Sequence, residues 1–584
     1  MEQLTSYILT ATKWALPAVA LWVLARCVRS MLREGFEPEY WGRLSIRGQD
    51  PLPLEHWECI VGSAKSSDVV LDAPDVHRTH AALIRSDRGQ WRLYDLSGGD
   101  TSCAGERDSG KGLPVQDGDS LVFGKQKLRF HDLDEKQRAE AEALRRMPGL
   151  NISQGLTLLL LTIFQLLMAA EFTQIHSGWL VVRTGLGFAF LILIEWCWFL
   201  LVRAMDRRGF EVETLAFFLC TLGYAVCVSA APEDLLKELL LMLAGLLFFV
   251  FLGWWLRDLR RVKALRIPVA LLAVALLAVN VALGSTSYGA SNWLRLGGIS
   301  VQPSEFVKIA YIYVGAASLD RLFKRRNLIF FIGFSALCVG ALALMGDFGT
   351  ALIFFVTFLV ISFLRSGSFA TVFLAVSGAG LAGVLVLSVK PYIAQRFAAW
   401  GHVWEDPYGA GWQQTRALSA AASGGLTGVG AGNGWLKDIF AADTDMVFCM
   451  VSEEFGLIVA ICAVLAVVVI VVFAVRAASL GRSTYFVIAA VASGVMLVVQ
   501  LALNVFGSTD ILPFTGVTFP FVSKGGSSLI SCWALLAFIK ASDTRLNASF
   551  SVRQARREQP APKPRPSGET PAPKKRKGRG EASG

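Results

Sequence analysis

Thirteen apolar runs of near bilayer-spanning length recur along the chain, at about 7–26, 153–170, 178–202, 213–230, 235–256, 267–284, 304–319, 327–345, 349–365, 369–389, 447–474, 484–506 and 526–541. Each predicts a membrane helix. Two stretches break the rhythm. Residues 41–131 alternate apolar and polar positions in short runs ("RLSIRG", "SDVVLD", "HAALIRS", "QWRLYDL", "DSLVFG", "KLRFH") separated by Gly, Asp and Pro turns, which predicts an all-β sandwich. Residues 404–435, "WEDPYGAGWQQTRALSAAASGGLTGVGAGNGW", hold acids, amides and eight glycines. The fold class is therefore a polytopic α-helical membrane protein of about 13 spans with an all-β module. The expected organisation is a membrane anchor (1–34), the sandwich (41–131), a charged helical connector ending at Pro148 (132–150), two extra spans (153–205), a ten-span core (213–541) with a large loop (390–446), and a tail (545–584).

Composition agrees with the pattern: 54% of the 584 residues are hydrophobic and 17% charged, too apolar for an ordinary soluble protein. The net charge of +10 is misleading, because residues 551–584 hold ten Lys or Arg against three Glu and so supply +7 of it. That tail is rich in Pro, cannot bury a core and is expected to be disordered. Its charge reads as a signal for the inner membrane face, not as a nucleic-acid site. Ten cysteines show no CxxC pair, so neither a disulfide framework nor a zinc site is expected.

Short loops rich in Lys and Arg stay on the cytoplasmic side. Arg26, Arg29 and Arg33 after the first run, and Arg203, Arg207 and Arg208 after the third, then put the N-terminus outside and the sandwich and tail inside. "RDLRRVKALR" (257–266), "DRLFKRRN" (320–327) and Arg365 agree with that count. The loop at 404–435 falls outside. A cleaved signal peptide is the alternative for the first run, but its basic residues follow the apolar stretch instead of leading it.

Ionisable residues at bilayer depth cost at least about 2.5–3.5 kcal/mol on insertion scales, so each carries a functional reading beside a structural one. Glu305 and Lys308, three apart on one helix face after Gln302–Pro303, read either as an ion pair holding helices in register or as the lining of a substrate cavity. Asp347 reads as a cap for the helix opening at Gly349–Thr350, with a cavity role as the alternative. In "LPFTGVTFPFVSKGGSSLI" (512–530), irregular backbone near membrane depth requires a cavity or burial in protein. Lys524 and the amides and hydroxyls after it read as a phosphate site at a helix N-terminus. Asp406, on a Pro and Gly turn above such a cavity, reads as a general base for a hydroxyl or simply as an Asp-Pro turn.

Two resemblances sharpen these readings. The order "IVGSAKSSDVVLD", "VHRTHAAL", "YDLSGGDTS", "LPVQDGDSLVFG" resembles a forkhead-associated (FHA) domain, which implies phosphothreonine binding through three loops. The phosphate-reading positions depart from that pattern, with Ser63 in place of Arg, His77 in place of Ser and Asp100 in place of Asn, while His80 is retained. Asp100 would repel a phosphate. Arg78 or Arg85 would have to compensate, and Arg78 and Ser63 are the phosphopeptide-binding candidates; docking of another regulatory protein is the alternative.

Residues 213–541 resemble the SEDS family (FtsW/RodA/SpoVE) through "GASNWLRLGG", "QPSEFVK", "DFGTAL", "DPYGAGWQ", "TDMVF", "SEEFG" and "LPFTGVTFPFVSKGGSS". The resemblance implies a peptidoglycan glycosyltransferase that polymerises lipid II outside the cytoplasmic membrane with a class B penicillin-binding protein. It implies Asp406 as the catalytic base and Glu305, Lys308, Arg295, Gln413, Ser523 and Lys524 as substrate-binding residues, with Asp347 a further cavity residue. Lys308, Arg295, Lys524 or a divalent cation (Mg or Mn) would neutralise the leaving group. Departures from the family are Asn292 for Arg, Asp443 for His, Met345–Gly346 for Gln-Pro and Lys524 for Tyr. A lipid II transporter and a membrane scaffold working through the FHA-like domain are the competing functions.

Overall fold

Each of the thirteen apolar runs falls on helix in the computed structural model, which describes residues 2–552 except 34–35, 47, 49, 66, 87–88, 150–151, 176, 288–289, 297–298, 320–324 and 390–399. The helices are α1 (Glu2–Arg33), α2 (Glu135–Leu144), α3 (Gln154–Ile175), α4 (Trp179–Ala204), α5 (Glu211–Ala230), α6 (Leu235–Trp255), α7 (Leu259–Ala264), α8 (Arg266–Leu283) and α9 (Pro303–Ser318). They continue as α10 (Arg325–Leu344), α11 (Phe348–Ser366), α12 (Phe369–Val389), α13 (Trp412–Gly424), α14 (Val447–Phe455), α15 (Leu457–Ser479), α16 (Thr484–Ser508) and α17 (Gly526–Ala541). Among the described residues, ten helices are long and apolar enough to cross a membrane. At 16 residues each, α9 and α17 are shorter than that.

The run expected as one span at 447–474 is two helices. Gly456 breaks it with φ +88°, and a Cβ there would lie 2.3 Å from the Leu426 carbonyl oxygen. The nine-residue α14 is buried along its whole length, and α15 forms the long segment instead. The disordered tail was expected to start at 545, which is too early. Arg545 donates to Asp543 (2.9 Å) and Glu211 (3.3 Å), and Phe550 packs edge-on against Trp198 and Phe249. Buried ion pairs and aromatic packing thus order residues 545–552; residues 553–584 lie outside the described residues.

Helix α5 is buried from Glu211 to Val228 and forms the centre of the bundle, as expected of a helix that is apolar all round. The carboxylates at its start are paired, Glu213 with Lys540 of α17 at 3.0 Å and Glu211 with Arg545.

Eleven short strands among the described residues form two sheets, of six and five strands, between Gly42 and Asp132. The strand Glu58–Gly62 is buried at every position and pairs antiparallel with Ala81–Arg85. Its Glu58 end meets the helical bundle: Trp57 N–H donates to Arg482 O (2.7 Å), His56 Nδ1 lies 2.9 Å from Gly481 O, and Thr484 N–H donates to Glu58 Oε2. Glu39 joins the two parts. Its carboxylate accepts from Arg482 Nε (2.6 Å) and Arg145 Nη1 (3.2 Å), while Arg482 lies over the Trp41 and Trp57 rings. The connector helix α2 stops at Leu144, short of Pro148, and so delivers Arg145 to that pair.

Burial works against the Glu39 charge, but the two arginines outweigh it and hold its pKa below the usual 4.5. The stability this gives is fully present above about pH 4.5 and is lost as pH falls below it. Glu39→Ala removes the carboxylate that two nearly buried guanidinium groups share and is expected to cost about 3–5 kcal/mol of docking stability. The check is hydrogen exchange at the Trp57 and Thr484 amides, which should accelerate while exchange inside the sandwich stays as in the wild type.

Candidate active site

A cavity of about 910 Å³ opens between the starts of α9, α11 and α17 and the irregular segments 437–445 and 512–518. Gln302 in extended backbone and Pro303 at the first turn start α9, a position where Pro has no amide to leave unsatisfied. Glu305 and Lys308 follow on one face.

Both are almost wholly buried and both line the cavity. Lys308 Nζ donates to Glu305 Oε1 (2.8 Å) and to Gln500 Oε1 of α16 (3.0 Å). Ser531 of α17 donates to Glu305 Oε2 at 2.5 Å. From Gln500 the chain continues through its amide to Thr518 Oγ1 (2.9 Å) and on to Ser528 Oγ (2.9 Å). Three helices are therefore tied by one buried network in which each charge is met by an opposite charge and a neutral partner.

Asp347 has both of the roles considered. It caps α11 by accepting from Thr350 N–H (3.1 Å), and it lines the cavity, where it accepts from Gln302 Nε2 (3.3 Å). Lys524 also lines the cavity, but it is not the free cation of a ready-made phosphate site. Its ammonium lies 2.8 Å from Asp234 and 3.5 Å from Asp443. Burial opposes the charge, yet the hydrogen bond to Asp234 and the two carboxylates raise its pKa above the usual lysine value. A phosphate at Lys524 would have to displace Asp234.

Ser523 does not reach the cavity wall. Its hydroxyl donates to Thr444 O (2.5 Å) and accepts from Phe519 N–H (2.7 Å), which fixes the turn before α17. Ser527 and Ser528 line the cavity in its place. Arg295 lies on the strand Ala290–Leu296, paired in register with Ser300, and its side chain falls outside the described residues. Gln500, Asn504, Ser531 and Asp234 were not anticipated from the sequence. The signal for the first two was present: amides at i and i+4 inside the apolar run 484–506 share a helix face.

Asp406 is exposed on the turn before α13 and is not part of the cavity lining. Its Oδ2 accepts from Ala410 N–H (2.9 Å) and its carbonyl from Gly411 N–H (3.1 Å). A Cβ at Gly409 would lie 2.1 Å from Asp406 Oδ2, so a larger residue there would turn this carboxylate away from its present position. The turn abuts the cavity at two points. Trp400 lines it, and Gln413 donates to the carbonyl of Phe440, another lining residue (3.1 Å).

Among the described residues no three His, Cys, Asp or Glu side chains converge to hold a metal ion. Of the carboxylates at the wall, Asp443 faces the Lys524 ammonium together with Asp234.

In the FHA-like sandwich, His80 is buried, with Nδ1 accepting from His77 N–H (3.0 Å) and Nε2 3.2 Å from Asp100 O. Asp100 lies 3.7 Å from His77 Nε2 between the loops that would read a phosphate. Ser63 donates its amide to His77 O, and Arg78 is exposed beside it. Arg85 offers no compensation, because it ends its strand at the docked side with its guanidinium over Trp41 (4.6 Å).

Comparison with known proteins agrees with the two-part division. Residues 228–547 match the family described as FtsW/RodA/SpoVE cell cycle proteins, and residues 59–124 match the FHA domain. The probable peptidoglycan glycosyltransferase FtsW of Escherichia coli O6:H1 is 33% identical over 301 residues, covering 49% of this chain and 72% of that protein. The peptidoglycan glycosyltransferase RodA of Mycobacterium bovis is 28% identical over 322 residues, covering 52% and 69%. A solved structure described as a peptidoglycan synthase complex that coordinates polymerization and crosslinking is 25% identical over 58% of this chain and 98% of that one, with a TM-score of 0.48.

Proposed function

The chain belongs to the FtsW/RodA/SpoVE family, and on that premise we propose that it is a peptidoglycan glycosyltransferase that polymerises lipid II at the outer face of the cytoplasmic membrane. The observation that carries this reading is the cavity with the buried Glu305–Lys308 pair in its wall and the Asp406 turn against its edge. Asp406 takes the proton of the acceptor sugar hydroxyl. The resulting oxygen attacks the donor's anomeric carbon, and the bond to the lipid pyrophosphate breaks.

Lys524 meets the charge on the leaving pyrophosphate by exchanging Asp234 for a phosphate oxygen, with Arg295 and Lys308 as the other cations for this task. Gln413 holds the Asp406 turn to Phe440. Loop charge orients the chain with its N-terminus and the 390–446 loop outside, and with the sandwich and tail inside. By the family resemblance the partner is a class B penicillin-binding protein transpeptidase.

A transporter would draw on the same buried pair, but Glu305 and Lys308 already satisfy each other together with Gln500 and Ser531. That arrangement favours a fixed wall over a moving relay.

For the sandwich, the Asp100 carboxylate beside His77 among the reading loops favours protein docking over phosphothreonine reading, with Arg78 and not Arg85 placed to oppose it. Peptide arrays on the intact protein should show no phosphate-dependent binding; a phosphothreonine peptide that loses binding on dephosphorylation would reverse this reading. For the enzyme, purified protein given lipid II with its transpeptidase is expected to make glycan chains, and Asp406→Asn to reduce them at least about 100-fold, a loss at the lower end of general-base contributions. Equal polymer from both would remove Asp406 from the mechanism.

A further inference from the structure

Helices α1 and α3 precede the family match, which begins at residue 228, and yet both reach the loop that frames the cavity. Residues 425–437 run from the end of α13 to the cavity wall, where Lys437 and Asp438 are lining residues. Most of this loop is held by α14. Val429 and Gly430 donate their amides to the Glu453 and Glu454 carbonyls, Gly432 donates to the Glu454 carboxylate, and Trp435 and Leu436 donate to that of Glu453.

Two hydrogen bonds on the stretch Val429–Ala431 come from outside the matched region. Lys13 Nζ of α1 donates to Val429 O (3.1 Å), and Ala431 N–H donates to Glu171 Oε2 of α3 (3.3 Å). Glu171 is 3% exposed and Ala431 is fully buried, so losing the second of these bonds leaves a buried polar group unsatisfied, while the Lys13 bond is half-buried. Lys437 then donates back to Gly432 O (2.5 Å), linking this stretch to the cavity wall.

We propose that Lys13 and Glu171 are positioning residues for the cavity loop, so that the helices added before the family core form a brace for the polymerase site and are more than an anchor. This rests on the polymerase reading for its kinetic consequence but not for its structural one. From Lys13 to the end of α1 is 20 residues, about 30 Å of helix. At that far end Phe36 is covered by Arg476 and Arg545, and Glu39 fastens the sandwich. One helix therefore connects the docked sandwich to the loop at the site.

The test uses the full chain in detergent or nanodiscs with two readouts, polymerisation kinetics on lipid II and hydrogen exchange across residues 428–436. Lys13→Met and Glu171→Leu remove the donor and the acceptor. Lys13→Arg and Glu171→Gln keep them, since an amide oxygen still accepts from Ala431 N–H. The Met/Leu double variant is expected to speed exchange in 428–436 selectively and to lower kcat about tenfold with KM unchanged, as misplacement of a site element does. The Arg and Gln variants should keep both properties. Wild-type protection and kcat in the Met/Leu variant would overturn the proposal, as would equal losses in the Arg/Gln variant, which keeps both hydrogen bonds. If the wild type makes no polymer, the polymerase reading fails while loop exchange still decides the brace.

Discussion

The site depends on a buried lysine whose charge is met by protein groups. Lys308 sits in the wall between α9, α16 and α17, and its ammonium is tolerated there because Glu305 and Gln500 accept from it while Ser531 donates to the other oxygen of Glu305. Each partner comes with a helix attached, so satisfying one charge fixes the separation of three helices. The cavity is the space left above that junction. Its upper parts, the Asp347 cap, the Thr518–Ser528 bond and the Asp234–Lys524–Asp443 group, are arranged around the same helix starts.

On one face of the bundle stands the cavity with its loops, and on the other the docked sandwich. Helix α15 leads from Gly456, beside the glycine loop, to Leu480, beside the docked strand ends. At 23 residues it is about 35 Å long. Helix α1 makes the same crossing. Two rigid elements thus connect the faces, and the sandwich is held by a nearly buried carboxylate between two arginines instead of by a flexible tether alone.

How much of this was legible depended on the kind of signal. Glu305 and Lys308 stand out in sequence because charge within an apolar run is costly and needs a reason, and Asp406 stands out through its polar loop and the family motif "DPYGAGWQ". Gln500 and Ser531 are neutral, and what they hold is seen only when Lys308 and Glu305 stand beside them. Ser523 is implied by the family resemblance alone, and the direction of its hydroxyl, toward Thr444, is set by a loop 79 residues away. The break at Gly456 lies between Phe455 and Leu457, and the signal for it is the pair Glu453–Glu454 just before, two carboxylates inside an apolar run. The docking of the sandwich could not be read at all, since Glu39 and Arg482 are 443 residues apart and each looks like a solvated surface charge.

The central claim, that the Glu305–Lys308 pair holds the cavity wall as a unit, is tested most directly by a double-mutant cycle on thermal stability. Glu305→Gln and Lys308→Met are each expected to cost about 3–5 kcal/mol, because each strands the other buried charge. Together they should cost clearly less than the sum, a coupling of about 2 kcal/mol or more. Additive losses within about 0.5 kcal/mol would mean that the two side chains act independently and that the wall is held by something else.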